Sequence, residues 1–108
     1  EAGLDLQVDC PDLALSRHML FTDLSDEEFV RVAETHVEAL NHALEGIPED
    51  RVRVHICWGN YEGPHVCDID MGKVLPTLMK VRARKVLFET SNPRHAHEWA
   101  LFRDKASE

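Results

Sequence analysis

Three short apolar runs, each closed by turn residues and separated by stretches of helical period, constrain the fold of this 108-residue chain more than any other feature. Leu4, Leu6 and Val8 alternate with Asp5, Gln7 and Asp9 until Cys10 and Pro11 break the run. Val52, Val54, Ile56 and Trp58 alternate with Arg53, His55 and Cys57, and Gly59, Asn60, Gly63 and Pro64 follow. Val86, Leu87 and Phe88 form a continuous apolar run within Lys85 to Glu89. Each has the length and punctuation of a β-strand. Between the first two, Ser25-Asp26-Glu27-Glu28 matches a capping box, in which a hydroxyl and a carboxylate satisfy orphan N–H groups reciprocally. Phe29, Ala33, His36, Val37, Leu40 and Leu44 then recur at helical spacing until Gly46 and Pro48 end the pattern. Val74, Leu75, Leu78 and Val81 predict a second helix over Met71 to Val81, with Pro76 early enough for its missing N–H to cost little. A third is expected from His95 to Arg103, after Asn92-Pro93.

Strand, helix, strand, helix, strand, helix is the order of βαβ units, so the expected class is α/β with parallel strands in about three βα units. A chain of this length holds one core, and the whole of residues 1–108 is read as one domain. In parallel sheets chemistry gathers where strands end, because the loops there vary while the core stays fixed. The three strand exits carry Asp9, then His55 with Cys57, then Glu89.

Twelve basic against twenty acidic residues give a formal charge of −8, and there is no basic block or aromatic-basic stripe to follow phosphates. Nucleic acid is not an expected partner. Three cysteines, Cys10, Cys57 and Cys67, without a charged start leading into an apolar signal core, suit a reducing cytoplasmic setting better than a disulfide framework. No apolar stretch approaches the roughly 20 residues that span a bilayer, so no membrane partner is expected. Lys105 to Glu108 carry no pattern and are expected to fray.

Zinc accepts imidazole nitrogen, thiolate sulfur and carboxylate oxygen, and a catalytic centre keeps one position for substrate. His55, Cys57 and Glu89 supply such a set from neighbouring strands, and the two-residue step from His55 to Cys57 puts both on one strand face. The same types have plainer uses: a buried Cys packs as a small hydrophobe, and a His near a strand end is commonly hydrogen-bonded. His65 and Cys67 repeat the spacing in a Gly/Pro loop with no strand to fix them, and a loop role lining the site is expected of them. His36 and His42 are read as surface or interface residues of the long helix, and His95 and His97 face apart at i, i+2. Asp9 suits either a turn or the holding of an amine, and Cys10 has no charged neighbour marking it as a nucleophile.

The segments "LQVDCPDLAL", "HICWGNYEGPH" and "FETSNPRHAHEW", in this order, resemble the C-terminal catalytic domain of the cobalamin-independent methionine synthase family. The likeness is greatest to its shorter single-domain bacterial branch, itself similar to the epoxyalkane:coenzyme M transferases, and runs from about Leu4 to Phe102. It implies part of a (β/α)8 TIM barrel with zinc at its carboxyl face. The metal ligands it implies are His55, Cys57 and Glu89, and Asp9 would hold the amino group of homocysteine. Cys10 stands where the methionine synthases carry Glu. The implied activity is transfer of a methyl or alkyl group to a thiol, the zinc stabilising the thiolate. A donor such as methyltetrahydrofolate also needs an acid for its leaving nitrogen, and no residue is assigned to that role.

A complete barrel runs to about 250 residues. Three of eight units therefore imply a fragment or truncated product, weak or inactive alone. The competing expectation is a non-catalytic α/β assembly module that retains remnants of the site and forms homo-oligomers through its open sheet edges.

Overall fold

A computed structural model describes residues 3–60, 62–89 and 91–103. The fraying expected of residues 105–108 lies outside them. The chain runs through β1 (Leu6–Asp9), a 3₁₀ turn (Pro11–Leu13), α1 (Leu15–Met19), α2 (Asp26–Ala43), a 3₁₀ turn (Glu49–Arg51), β2 (Val52–Ile56), α3 (Met71–Leu78), β3 (Lys85–Phe88) and a 3₁₀ segment (Ala96–Phe102). It is an α/β domain whose three strands are parallel and lie in the order β1-β2-β3.

The alternation in β2 becomes two different surfaces. Val52, Val54 and Ile56 are buried, and Trp58 continues the same face with 6% of its surface exposed. Arg53 is exposed and His55 and Cys57 are half-buried on the other face. The register sets Asp9 beside His55 on one side and Leu87 beside His55 on the other, with Ile56 opposite Phe88. Continued by one residue, it brings Cys57 level with Glu89, which lies just past the end of β3 rather than in it.

The helices cover the apolar face. The capping box forms as the sequence predicts: Ser25 Oγ accepts from the N–H of Glu28, and Glu28 Oε2 accepts from the N–H of Ser25 at 2.8 Å. Phe29, Ala33 and Val37, four residues apart, then pack in the core with Val54, Ile56, Met71, Val74 and Leu78. Asn41 fastens α2 to the turn after α3, its amide donating to the Lys80 carbonyl while its oxygen accepts from the N–H of Arg82, both at 2.8 Å.

Three local expectations change. α1 has too few residues for a periodic signal, and it closes the corner between β1 and α2 through Ser16, whose hydroxyl donates to the Asp12 carbonyl. α3 ends at Leu78 instead of Val81, and Pro76 sits inside it at the loss of one intrahelical bond. The last helix is 3₁₀, not α. His95 and Glu98 bond to each other through both backbone and side chain at i, i+3, the pair that a three-residue turn brings into line.

Asp26 at the start of α2 meets Lys73 of α3 and lies 3.5 Å from Arg17 Nε of α1. The hydrogen bond from Lys73 holds its carboxyl below the ordinary 3.8, with the charges of Lys73 and Arg17 adding to it. A depressed folded-state pKa contributes stability above the unfolded value that is lost as pH falls through the folded one. Urea unfolding between about pH 5 and about pH 2 is therefore expected to show a shallower acid decline in Asp26→Asn than in the wild type, with a slightly lower midpoint at neutral pH.

Candidate active site

The strand exits open onto a cavity of about 240 Å³ lined by His55, Cys57, Trp58, Gly59, Asn60, Glu89, Asn92, Arg94 and His95. Three of the four residues expected at the site, His55, Cys57 and Glu89, are on its wall. Asp9 is not a lining residue, but its Oδ1 lies 3.2 Å from His55 Nδ1. The same Oδ1 accepts a 3.0 Å bond from Gln7 Nε2, two residues back on the same strand face.

Glu89 is exposed and organises its own loop. Its Oε1 accepts from the hydroxyl and N–H of Ser91 and, at 2.8 Å, from the N–H of Asn92. The Ser91 hydroxyl is the main cause of a carboxyl pKa below the ordinary 4.5, with the two backbone donors and the nearby His95 acting in the same direction. Glu89 is therefore a carboxylate at neutral pH. Among the described residues no three His, Cys, Asp or Glu side chains already converge tightly enough to hold a metal ion.

Beneath the cavity lies a buried network that sequence reasoning missed. Asp68 accepts from His65 Nδ1 at 2.9 Å and contacts His95 Nε2 at 3.2 Å. His95 Nδ1 meets Glu98 Oε2 at 2.9 Å, and the other Glu98 oxygen accepts from the N–H of Met71 at 2.8 Å. The His95 ring stacks on Trp58 with centroids 3.9 Å apart, and Trp58 Nε1 donates to the Ile69 carbonyl. The loop after β2 is thereby joined to the loop after β3. A local signal exists in the two His-x-x-acid spacings, His65 to Asp68 and His95 to Glu98, but nothing local announces the pairing of Asp68 with His95.

The remaining candidates are placed as follows. The His65 side chain is fully buried against Asp68 and stacks on His18, whose Nδ1 accepts from the N–H of Cys67; neither His65 nor Cys67 lines the cavity. His36 meets Asp12 at 2.9 Å on the outer surface of α2, and His42 pairs with Glu45. His97 is exposed while His95 is buried, so the two rings do face apart. All three cysteines are free thiols. Burial, and then the charges of Asp12 and Asp9, push the Cys10 thiol up to about 11, so it stays protonated and unreactive.

No helix among the described residues is long and apolar enough to cross a membrane. Comparison with protein-family models, curated proteins and solved structures finds no match to this chain.

Gly59 turns the chain at the cavity wall with φ at +74°, and a Cβ there would press on Leu15 Cδ2. Gly59→Ala combines backbone strain with a clash against α1, and a loss of about 1–3 kcal/mol is expected in urea unfolding.

Proposed function

We propose that the chain is part of a zinc-dependent transferase domain that passes a methyl or alkyl group to a small thiol such as homocysteine, in line with its resemblance to the cobalamin-independent methionine synthases. The observation that carries this is the meeting of an imidazole, a thiol and a carboxylate from the ends of neighbouring parallel strands around one cavity. Zinc fits that donor set in kind. His55 offers a half-buried imidazole at the strand exit, Cys57 offers a partly exposed free thiol, and Glu89 is ionised. When bound, the metal would hold a substrate thiol as thiolate at neutral pH.

The chain's own residues then have separable tasks. His55, Cys57 and Glu89 would hold the ion, with Glu89 adjusting its position against Ser91 and Asn92. Asp9, in the role taken from the resemblance, would engage a substrate amine. Trp58 and His95 wall the cavity with stacked rings fixed from below, which keeps the donors apart from the core and limits water on that side. The architecture that accompanies this function is three βα units of a (β/α)8 barrel. Parallel strands in chain order and helices packed on the Val54–Ile56 face support it.

A second reading is favoured by one observation: among the described residues β1 and β3 each have an unpaired edge, with Leu4, Leu6 and Leu87 exposed nearby. Such edges template assembly, and a non-catalytic module that self-associates would use them. Light scattering on metal-free protein separates the two, since a stable oligomer without transferase activity favours the module.

Isothermal titration with zinc tests the first reading. His55→Ala and Cys57→Ser are each expected to weaken binding at least about tenfold, with far-UV circular dichroism unchanged. Wild-type affinity in both variants removes the metal assignment.

A further inference from the structure

We infer that Arg94 is the specificity residue of the cavity: its guanidinium takes the carboxylate of a small thiol acid whose sulfur is turned toward His55, Cys57 and Glu89. The sulfur end of this assignment rests on the zinc reading above, whereas the carboxylate end rests on Arg94 and can be tested without a metal. At about 240 Å³ the cavity lies below the roughly 300–1,000 Å³ of pockets that take drug-sized ligands, so its occupant is small. Of the described residues on its wall, Arg94 is the only one with a permanent positive charge. Among the described residues no carboxylate or carbonyl binds that guanidinium, although the chain carries 20 acidic residues.

The local sequence holds the backbone of Arg94 still and leaves its side chain free. Asn92-Pro93-Arg94-His95 is a β-turn, closed by the N–H of His95 donating to the Asn92 carbonyl at 3.0 Å, with proline at the second position where its fixed φ fits. The Asn92 side chain tightens the turn, its Oδ1 accepting from the N–H of Arg94 at 3.1 Å. On one side the N–H of Asn92 donates to Glu89 Oε1, and on the other the His95 ring stacks on Trp58 and bonds to Glu98. A proposed ligand carboxylate and a free guanidinium thus stand on one braced loop, and binding has little backbone left to order. The guanidinium is planar, always charged, and presents paired N–H donors that match a carboxylate. Charge balance points the same way. The two positive charges of a zinc ion are matched by the Cys57 thiolate and Glu89, and a substrate thiolate adds one negative charge. A second anionic group on that substrate then has only Arg94 on the described wall to offset it.

Isothermal titration of the zinc-loaded protein compares 3-mercaptopropionate with 2-mercaptoethanol, which lacks the carboxylate. The acid is expected to bind about tenfold tighter, the low end for a charge-assisted pair because Arg94 is exposed. Arg94→Ala is expected to erase that preference, and Arg94→Lys, which keeps the charge without the fork, to retain part of it; zinc affinity stays at wild type in both. In the metal-free protein, butyrate is expected to shift the Arg94 Nε–H signal in ¹H–¹⁵N spectra, and sodium chloride at equal ionic strength is not. Equal affinity for the two thiols in the wild type, or a preference that survives in Arg94→Ala, overturns the assignment, while zinc binding that depends on His55 and Cys57 leaves the zinc reading standing. Should His55→Ala and Cys57→Ser bind zinc as the wild type does, the zinc reading falls and the butyrate measurement decides: a shift at Arg94 keeps the carboxylate subsite, and its absence overturns that as well.

Discussion

Everything at the cavity depends on the two-sided pairing of β2. The strand is hydrogen-bonded to β1 and β3 and has one face that must be buried, because Val54 and Ile56 pack with the core residues of α2 and α3 and Val52 is buried on the same face. A slip of one residue would turn those three outward and push Arg53, His55 and Cys57 into the core. Burying a guanidinium and an imidazole without partners costs several times what the apolar contacts return. The hydrophobic pattern thus fixes the register, and the register fixes which polar groups emerge together. Asp9 beside His55, and Cys57 level with Glu89, are by-products of packing on the opposite face.

The exit loops need a second constraint, since no strand holds them. It comes from Asp68, His95 and Glu98, buried in a chain that already carries a formal charge of −8. Both ring nitrogens of His95 lie within hydrogen-bond distance of carboxylate oxygens, Nδ1 of Glu98 and Nε2 of Asp68. The Trp58 ring stacks on that imidazole at 3.9 Å between centroids and adds an aromatic contact to the network. Buried polar networks of this kind fix geometry when every member is satisfied. Here the last Glu98 oxygen ends on the N–H of Met71, so the same network also anchors the start of α3.

The sequence makes legible what depends on period and local chemistry. The alternation of β2, the capping box at Ser25 and the step of four from Phe29 to Ala33 to Val37 each appear in the structure where their spacing puts them. Placing His55, Cys57 and Glu89 at strand ends follows from the same periods, and the cavity gathers them. What escaped is long-range or very short. α1 spans five residues, too few to show a period. The contact of Asp68 with His95 joins residues 27 apart in the chain, and its partners read separately as loop and helix residues. The role of Trp58 was half visible, since its inward phase could be read but the ring stacked on it could not.

The two carboxylates nearest the candidate ligands share a feature that bears on how such a site could be both stable and open to a ligand. Each uses one oxygen for structure. All three donors from Ser91 and Asn92 reach Oε1 of Glu89, and Gln7 and His55 both approach Oδ1 of Asp9. Among the described residues, neither second oxygen has a hydrogen bond or an ion pair. A carboxylate can therefore keep its loop in place while its other oxygen engages a cation or an amine. Glu89 would not need to surrender the cap of its loop to reach a metal, only to tilt within it. The hydrogen bonds that depress its pKa also keep it in the anionic form that ligation requires. Local structure and ligand binding then make compatible demands on the same side chain. On the proposed zinc reading, that compatibility would let Glu89 turn toward an ion without giving up its loop, although no donor cluster is closed among the described residues.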